Sequence, residues 1–269
     1  MSAGAREQFD GNYARYWRDR VENAPDLTRV PGDAALRRAL RDFPVSSEHR
    51  LVDAGCGFGR FYPVFFQLTP HLIGVDVSLE MLNEATCLGY ECLIHGQVEQ
   101  TRLPDSYVDR IVCWATFDVT DQERALEELN RVLKPGGLVL LTGKNLTYHD
   151  DDSAAFLAER NAYLKAFPNH FTDVASLLRD PSPYGFSAQR AWGYERRGDF
   201  AEGRERDLLA MNVVEYYEFM LILRKEGAPG PALPALAHSH SATARERARR
   251  AGFRDDVPAF FRWHEQQGR

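Results

Sequence analysis

The chain has 269 residues, 44% of them hydrophobic and 27% charged, with a formal net charge of −6. That composition excludes a disordered or fibrous protein and supplies apolar material for one large core. The negative balance opposes attraction to a polyanion, so nucleic acid is not the expected partner.

No apolar run reaches the roughly 18 residues that span a bilayer. The opening Met1 to Asp10 is polar where a signal peptide needs an apolar stretch, so a cytoplasmic protein without membrane contact is expected. Cys56, Cys87, Cys92 and Cys113 form no CxxC pair and read as reduced packing residues.

Residues 1–48 read as N-terminal cap helices, in which Tyr13, Tyr16 and Trp17 share one face and, with Phe9 and Arg18, could fold over a ligand. From 49 to 226 short apolar runs alternate with amphipathic segments, the pattern of βαβ units feeding a parallel sheet. Five parallel strands are predicted at Leu51–Ala54, Leu72–Val77, Glu91–His95, Arg110–Ala115 and Leu138–Thr142.

Between the last two, Ala125, Leu126, Leu129, Val132 and Leu133 make one apolar stripe of a helix over Asp121–Leu133. Thr120 and Glu123 have capping-box spacing at its start, and Pro135-Gly136-Gly137 ends it. A polar, helical insertion over about 145–170 follows, of the kind that covers a pocket.

A helix at Asp173–Leu178 and strands at Gly185–Tyr194 and Tyr216–Arg224 complete the sheet as an antiparallel pair. Residues 227–269 read as a Pro/Gly linker over Gly227–Pro234 and a helical extension with a basic helix over Ala242–Ala251. The fold class is thus α/β, a Rossmann-like seven-stranded sheet, mostly parallel with an antiparallel last strand, and helices on both faces.

The segment that carries chemistry is Leu51-Val52-Asp53-Ala54-Gly55-Cys56-Gly57-Phe58-Gly59-Arg60, a strand leading into a glycine-rich turn. Glycines there accept positive φ and let a ligand approach the backbone amides at the opening of a helix. The spacing is G-x-G-x-G after an acid, whereas dinucleotide sites use G-x-G-x-x-G around a pyrophosphate.

With three further segments in order, the chain resembles the class I S-adenosylmethionine-dependent methyltransferases over roughly Gln8 to Lys225. These are Leu72 to Ser78, Leu103-Pro104-Asp105 through Val112, and Arg131 to Gly137. The resemblance implies S-adenosylmethionine as cofactor, held by Asp53, Gly55, Cys56, Gly57 and Gly59, with Asp53 near the ammonium of the methionine tail.

It further implies that Asp76 accepts the ribose hydroxyls and that Val77 and Met81 flank the adenine. Gln97 stands where relatives place an Asp for the adenine amino group, and a glutamine carbonyl can still accept. Val98, Trp114, Tyr13 and Trp17 complete the expected cofactor contacts. The Arg131 to Gly137 turn is expected to be structural.

Transfer from a sulfonium is an in-line displacement, so alignment in a dry site matters most and a base is optional. Asp118-Val119 replaces the Glu-His pair of one large subgroup, and no Pro-Pro-aromatic signature of base-directed enzymes is present. His149 and neighbouring Tyr148, after the fifth strand, are the expected catalytic candidates.

Neither Asp150, Asp151 and Asp152 nor His238 and His240 read as a metal site. The expected function is methylation of a small-molecule amine or hydroxyl, the amine slightly preferred, by a chain whose basic C-terminal helix could serve a homodimer contact. A non-catalytic S-adenosylmethionine-binding module, a methyltransferase for protein or RNA, and a nicotinamide-dependent oxidoreductase are the alternatives.

Overall fold

Every residue of Leu51–Ala54 (β1) has 2% exposure or less, as expected of a parallel strand covered on both faces. The computed structural model describes Arg15, residues 32–167, residues 169–210 and residues 214–267. Tyr13 and Trp17, with Phe9, Tyr16 and Arg18, lie outside these described residues.

In chain order the elements are α1 (Gly32–Ala39), β1, α2 (Tyr62–Phe65), β2 (Leu72–Asp76), α3 (Leu79–Ala85), β3 (Cys92–His95) and β4 (Val108–Cys113). Next come α4 (Gln122–Val132), β5 (Leu133–Asn145), α5 (Ser153–Leu164), β6 (Phe171–Thr172) and α6 (Val174–Arg179). The chain continues through β7 (Phe186–Tyr194), α7 (Asp199–Glu202), β8 (Glu205–Asp207), β9 (Glu218–Lys225), β10 (Ala237–His238), α8 (Ala242–Arg250) and α9 (Val257–Gln267).

The strand order is β3-β2-β1-β4-β5-β9-β7-β8, with β6 beside β5 and β10 beside β6. The first five strands run parallel, and β9 runs antiparallel to both β5 and β7. The expected seven-strand core is present, but the count is corrected to ten by β6, β8 and β10, each only two or three residues long and too short to show a period.

Alternation along the strands separates two cores. Val52, Ala54, Val139 and Leu141 pack on the face covered by Leu126, Leu129 and Val132 of α4 and Val174 and Leu177 of α6. Leu51, Val112, Leu140 and Ile222 face Leu36 and Ala39 of α1 and Val64 and Phe65 of α2. Helices therefore cover both faces.

The α4 N-terminus differs from the expected capping box. Asp121 is the N-cap and accepts from the Arg124 N–H at 3.3 Å, while the Thr120 hydroxyl donates to the Phe117 carbonyl at 2.8 Å. The Glu123 carboxylate instead accepts the main-chain N–H groups of Leu236 and Ala237, which ties the segment after the linker to α4.

A third core joins the insertion to the C-terminal extension, with Tyr148, Phe156 and Phe171 packed on Ala244, Ala248, Val257, Phe260 and Phe261. At its centre the Glu159 carboxylate, 3% exposed, accepts from Tyr148 Oη at 2.8 Å, Ser241 Oγ at 2.7 Å and the Ser241 N–H at 3.0 Å. A buried carboxylate with three donors is well satisfied, and its bonds tie the insertion to the start of α8. No described helix is long and apolar enough to cross a membrane.

Candidate active site

The glycine loop between β1 and α2 takes positive φ at Gly55 (80°), Gly57 (53°) and Gly59 (81°). At Gly55 a Cβ would lie 2.2 Å from Thr116 Oγ1, so the loop that follows β4 rests directly on this backbone. At Gly57 a Cβ would meet nothing within 4 Å, which leaves open space over a main chain that only glycine adopts freely.

The Gly57 N–H donates to Asp76 Oδ2 and the Ser78 N–H to Asp76 Oδ1, both at 2.8 Å. Asp76 at the end of β2 is thereby fixed beside the loop, its carboxylate the type of acceptor that takes ribose hydroxyls. Ser78 caps α3 by accepting from the Met81 N–H at 3.3 Å. That turn orders Val77, which is partly exposed, and Met81, which is buried.

Asp53 points into the base of the loop with 2% exposure, and the Tyr90 hydroxyl donates to its Oδ2 at 3.0 Å. Burial pushes its carboxyl up to about 7, the Tyr90 bond opposes that rise and the neighbouring Asp76 charge adds to it. Two acids side by side below an open glycine backbone suit a ligand with an ammonium and a vicinal diol. This is the fit a methionine-bearing nucleoside needs.

The raised Asp53 pKa has a consequence for stability. The folded state holds this proton more tightly than the unfolded chain, so the contribution is complete below 3.8 and is lost as pH rises through about 7. Asp53→Asn keeps an acceptor for Tyr90 but cannot ionise. Urea denaturation at pH 4 and pH 8 is expected to show the variant gaining on the wild type at the higher pH; parallel profiles would count against a buried, strained carboxylate.

The other expected cofactor contacts fall as follows. Cys56 is buried, its thiol is pushed up by burial, and its sulfur lies 2.9 Å from where a Gly74 Cβ would sit, so only its backbone faces the loop's open side. Gln97 is partly exposed in a tight turn with Gln100, and Val98 is 5% exposed within the core. Trp114 is held between Phe61, at 5.6 Å between ring centroids, and Phe200, at 5.3 Å.

Trp114 also begins a cleft of about 410 Å³ at the carboxyl ends of β4 and β5, where open α/β sheets bind ligands. Ala115 and Asp118 follow it from β4, Thr142 and Lys144 come from β5, and Glu218 and Phe219 come from β9. Ala158, Asn161 and Ala162 of α5 also line it.

The floor is charged. Lys144 Nζ is in hydrogen-bond contact with Asp118 and donates to Asn169 Oδ1 at 3.0 Å. Burial alone would depress this ammonium, yet the Asp118 carboxylate outweighs it and holds the amine well above its ordinary value. Glu218 stands opposite Lys144 in the β5–β9 register. Burial raises its carboxyl, against the opposing charges of Lys144 and Arg197. Arg197 also donates to the Tyr217 hydroxyl at 3.3 Å, a phenol pushed up to about 12 by burial.

Neither expected catalytic candidate lines this cleft. Tyr148 is fully buried and its hydroxyl is engaged by Glu159, while His149 faces Glu215 at 3.5 Å. Asp150 pairs with Arg247 and Arg250, Asp151 pairs with Arg196, and Asp152 caps α5 by accepting from Ala155 N–H at 2.9 Å.

Of the α8 arginines, Arg247 and Arg250 are thus paired with Asp150, and Arg249 pairs with Asp255. Among the described residues no group of three or more His, Cys, Asp or Glu is placed to hold a metal ion. Lys144, Arg197, Phe200 and Glu218 were not singled out as catalytic or binding residues from sequence.

Residues 52–141 match a family profile described as a methyltransferase domain. An uncharacterized methyltransferase, YcgJ of Bacillus subtilis, is 30% identical over 153 residues, covering 54% of this chain and 54% of that protein. A malonyl-[acyl-carrier protein] O-methyltransferase of Erwinia billingiae is 36% identical over 120 residues, 43% of this chain and 45% of the relative.

The chain therefore spans about half the length of these curated relatives. Among solved structures, a SAM-dependent methyltransferase of Thermotoga maritima, described as a possible histamine N-methyltransferase, aligns with a TM-score of 0.57 at 19% identity, covering 81% of this chain and 100% of that one. At that identity the likeness speaks to the fold.

Proposed function

We propose that residues 52–141, which match a methyltransferase-domain profile, form a class I S-adenosylmethionine-dependent methyltransferase domain with S-adenosylmethionine as its cofactor, and that the chain methylates a small-molecule amine or hydroxyl held in the cleft beyond Trp114. The observation that carries this reading is the position of the cleft. It is continuous through Trp114 and Ala115 with the loop on which Gly55 rests, and its volume of about 410 Å³ falls in the range of small-molecule pockets. A protein or RNA acceptor would call for a broad charged groove instead.

When bound, S-adenosylmethionine supplies an electrophilic methyl on a sulfonium. The residues of this chain then have three tasks. Asp76 and Asp53 anchor the polar ends of the cofactor, with Gly57 giving its backbone room. Trp114, Phe200 and Phe219 exclude water and align the acceptor. Glu218, the cleft carboxyl raised by burial, would take the proton that the acceptor loses as its lone pair bonds to the methyl carbon and that carbon's bond to sulfur breaks, leaving S-adenosylhomocysteine.

Calorimetric titration with S-adenosylmethionine, S-adenosylhomocysteine and NADH tests the premise. Micromolar binding of the first two and none of NADH is expected, and preference for NADH would sink the reading. Transfer of labelled methyl to a panel of small amines and hydroxyl compounds separates an enzyme from a non-catalytic binder.

Asp76→Ala is expected to weaken S-adenosylhomocysteine binding by about 1–3 kcal/mol, about 5- to 150-fold, through loss of a charge-assisted acceptor. Unchanged affinity would remove Asp76 from the site.

A further inference from the structure

Tyr90 lies in the turn between α3 and β3, and its ring passes between two glycines to reach Asp53. A Cβ at Gly59 would lie 3.2 Å from Tyr90 Cε2 and 2.3 Å from Leu88 Cδ1, and one at Gly74 would lie 3.3 Å from Tyr90 Cε1. The space these residues leave is filled by the chain itself. Gly74 is the β2 partner of Asp53 in the parallel register, so the ring approaches the carboxylate across a position that has no side chain. Tyr62 of α2 braces it at 5.0 Å between ring centroids.

At the end of this path the Tyr90 hydroxyl donates to Asp53 Oδ2 at 3.0 Å. Burial and the Asp53 charge hold the phenol well above its ordinary value, so it remains a donor throughout the neutral range. The other titratable groups facing Asp53 give it no such support. Asp76 of β2 opposes its ionisation by like charge, while the thiols of Cys56 in the glycine loop and Cys113 of β4 are kept neutral by burial. A hydrogen bond to the charged form favours that form.

We infer that Tyr90 is a positioning residue for the cofactor: its hydroxyl aims the Asp53 carboxylate at the ammonium of the methionine tail and takes no part in holding the nucleoside. The inference rests on the methyl-transfer reading above. An ammonium is bound best by the ionised carboxylate, so wild-type affinity for the tail rises with pH through the Asp53 value of about 7. Without its donor Asp53 ionises at higher pH, and the deficit is therefore largest in acid and closes as pH rises.

The test titrates the full chain by calorimetry at pH 6 and pH 8 with two ligands. S-Adenosylhomocysteine carries the amino-acid tail, and 5′-methylthioadenosine is the same nucleoside thioether without it. Tyr90→Phe keeps the ring between the glycines and removes only the hydroxyl. It is expected to weaken S-adenosylhomocysteine binding about tenfold at pH 6 and no more than about twofold at pH 8, as loss of one hydrogen bond to a carboxylate provides. Affinity for 5′-methylthioadenosine is expected to stay unchanged at both.

In an Asp53→Asn background, Tyr90→Phe is expected to cost less than about twofold at either pH, because the coupling runs through the carboxylate. Equal loss for the two ligands, a loss independent of pH, no loss at either pH, or a tenfold loss that persists in Asp53→Asn would overturn the inference and leave the methyl-transfer reading standing. Failure of the wild type to bind S-adenosylhomocysteine would overturn that reading and this inference with it.

Discussion

Lys144→Met is expected to destabilise the fold by about 2–4 kcal/mol, because it leaves the Asp118 carboxylate buried without its cation. The side chains of Lys144 and Asp118 are 17% and 7% exposed, and Asn169 Oδ1 loses a donor at 3.0 Å as well. Removing one partner of a buried pair costs more than the pair itself contributes, since the survivor's desolvation is no longer offset.

Lys144→Met combined with Asp118→Leu is therefore expected to recover most of the loss. Thermal denaturation of the two single variants and the double variant reads the coupling directly. Equal loss in the single and double variants would mean that packing, and not charge, holds this floor together.

That pair marks the boundary of what local spacing can reveal. Lys144 lies at the carboxyl end of β5 and Asp118 follows β4, and both stand at the strand ends where ligands bind. Nothing in either segment says that Glu218 stands across from Lys144. The β5–β9 register sets that placement, and register between distant strands follows from the whole pattern of buried faces.

Arg197 is similar, since a tandem Arg196-Arg197 in a polar turn reads as a solvated surface until α5 and β9 are placed around it. By contrast the parallel core was legible from Leu51–Ala54 and Leu72–Asp76, because strands buried on both faces are continuous apolar runs. The glycine loop was legible because its backbone demands one residue type.

Other misses have their own causes. Asp121 takes the N-cap of α4 one residue after Thr120, because Thr120 turns its hydroxyl back to Phe117. Both residues suit the role, and sequence alone gives no reason to choose between them. Tyr148 stands beside the active end of the sheet in sequence, yet it points away into the core shared with α8 and α9.

The helix α9 does carry a readable stripe in Val257, Phe260 and Phe261, at the i, i+3, i+4 spacing of one helical face. Its partner surface, Phe156 on α5, is too distant in sequence for the pairing to be read locally.

Gly55→Ala is expected to cost about 2–5 kcal/mol, by two separable routes. The residue sits at φ 80°, where an L side chain costs about 1–2 kcal/mol. The new Cβ would in addition lie 2.2, 2.6 and 2.8 Å from Thr116 Oγ1, Cγ2 and Cβ, an overpacking cost of about 1–3 kcal/mol.

Pairing the substitution with Thr116→Gly removes the clash and leaves the backbone cost, so the double variant is expected to regain about half of the lost stability. Affinity for S-adenosylhomocysteine separates two ways of relaxing. If the loop after β4 gives way, cofactor affinity holds and Trp114 shifts in the cleft, which its fluorescence can report. If the glycine loop moves, Gly57 leaves Asp76 and affinity falls at least as far as in Asp76→Ala. An unchanged melting temperature in Gly55→Ala would mean that the contact between these two loops is not tight, and with it would go the direct link between the cofactor loop and the acceptor cleft.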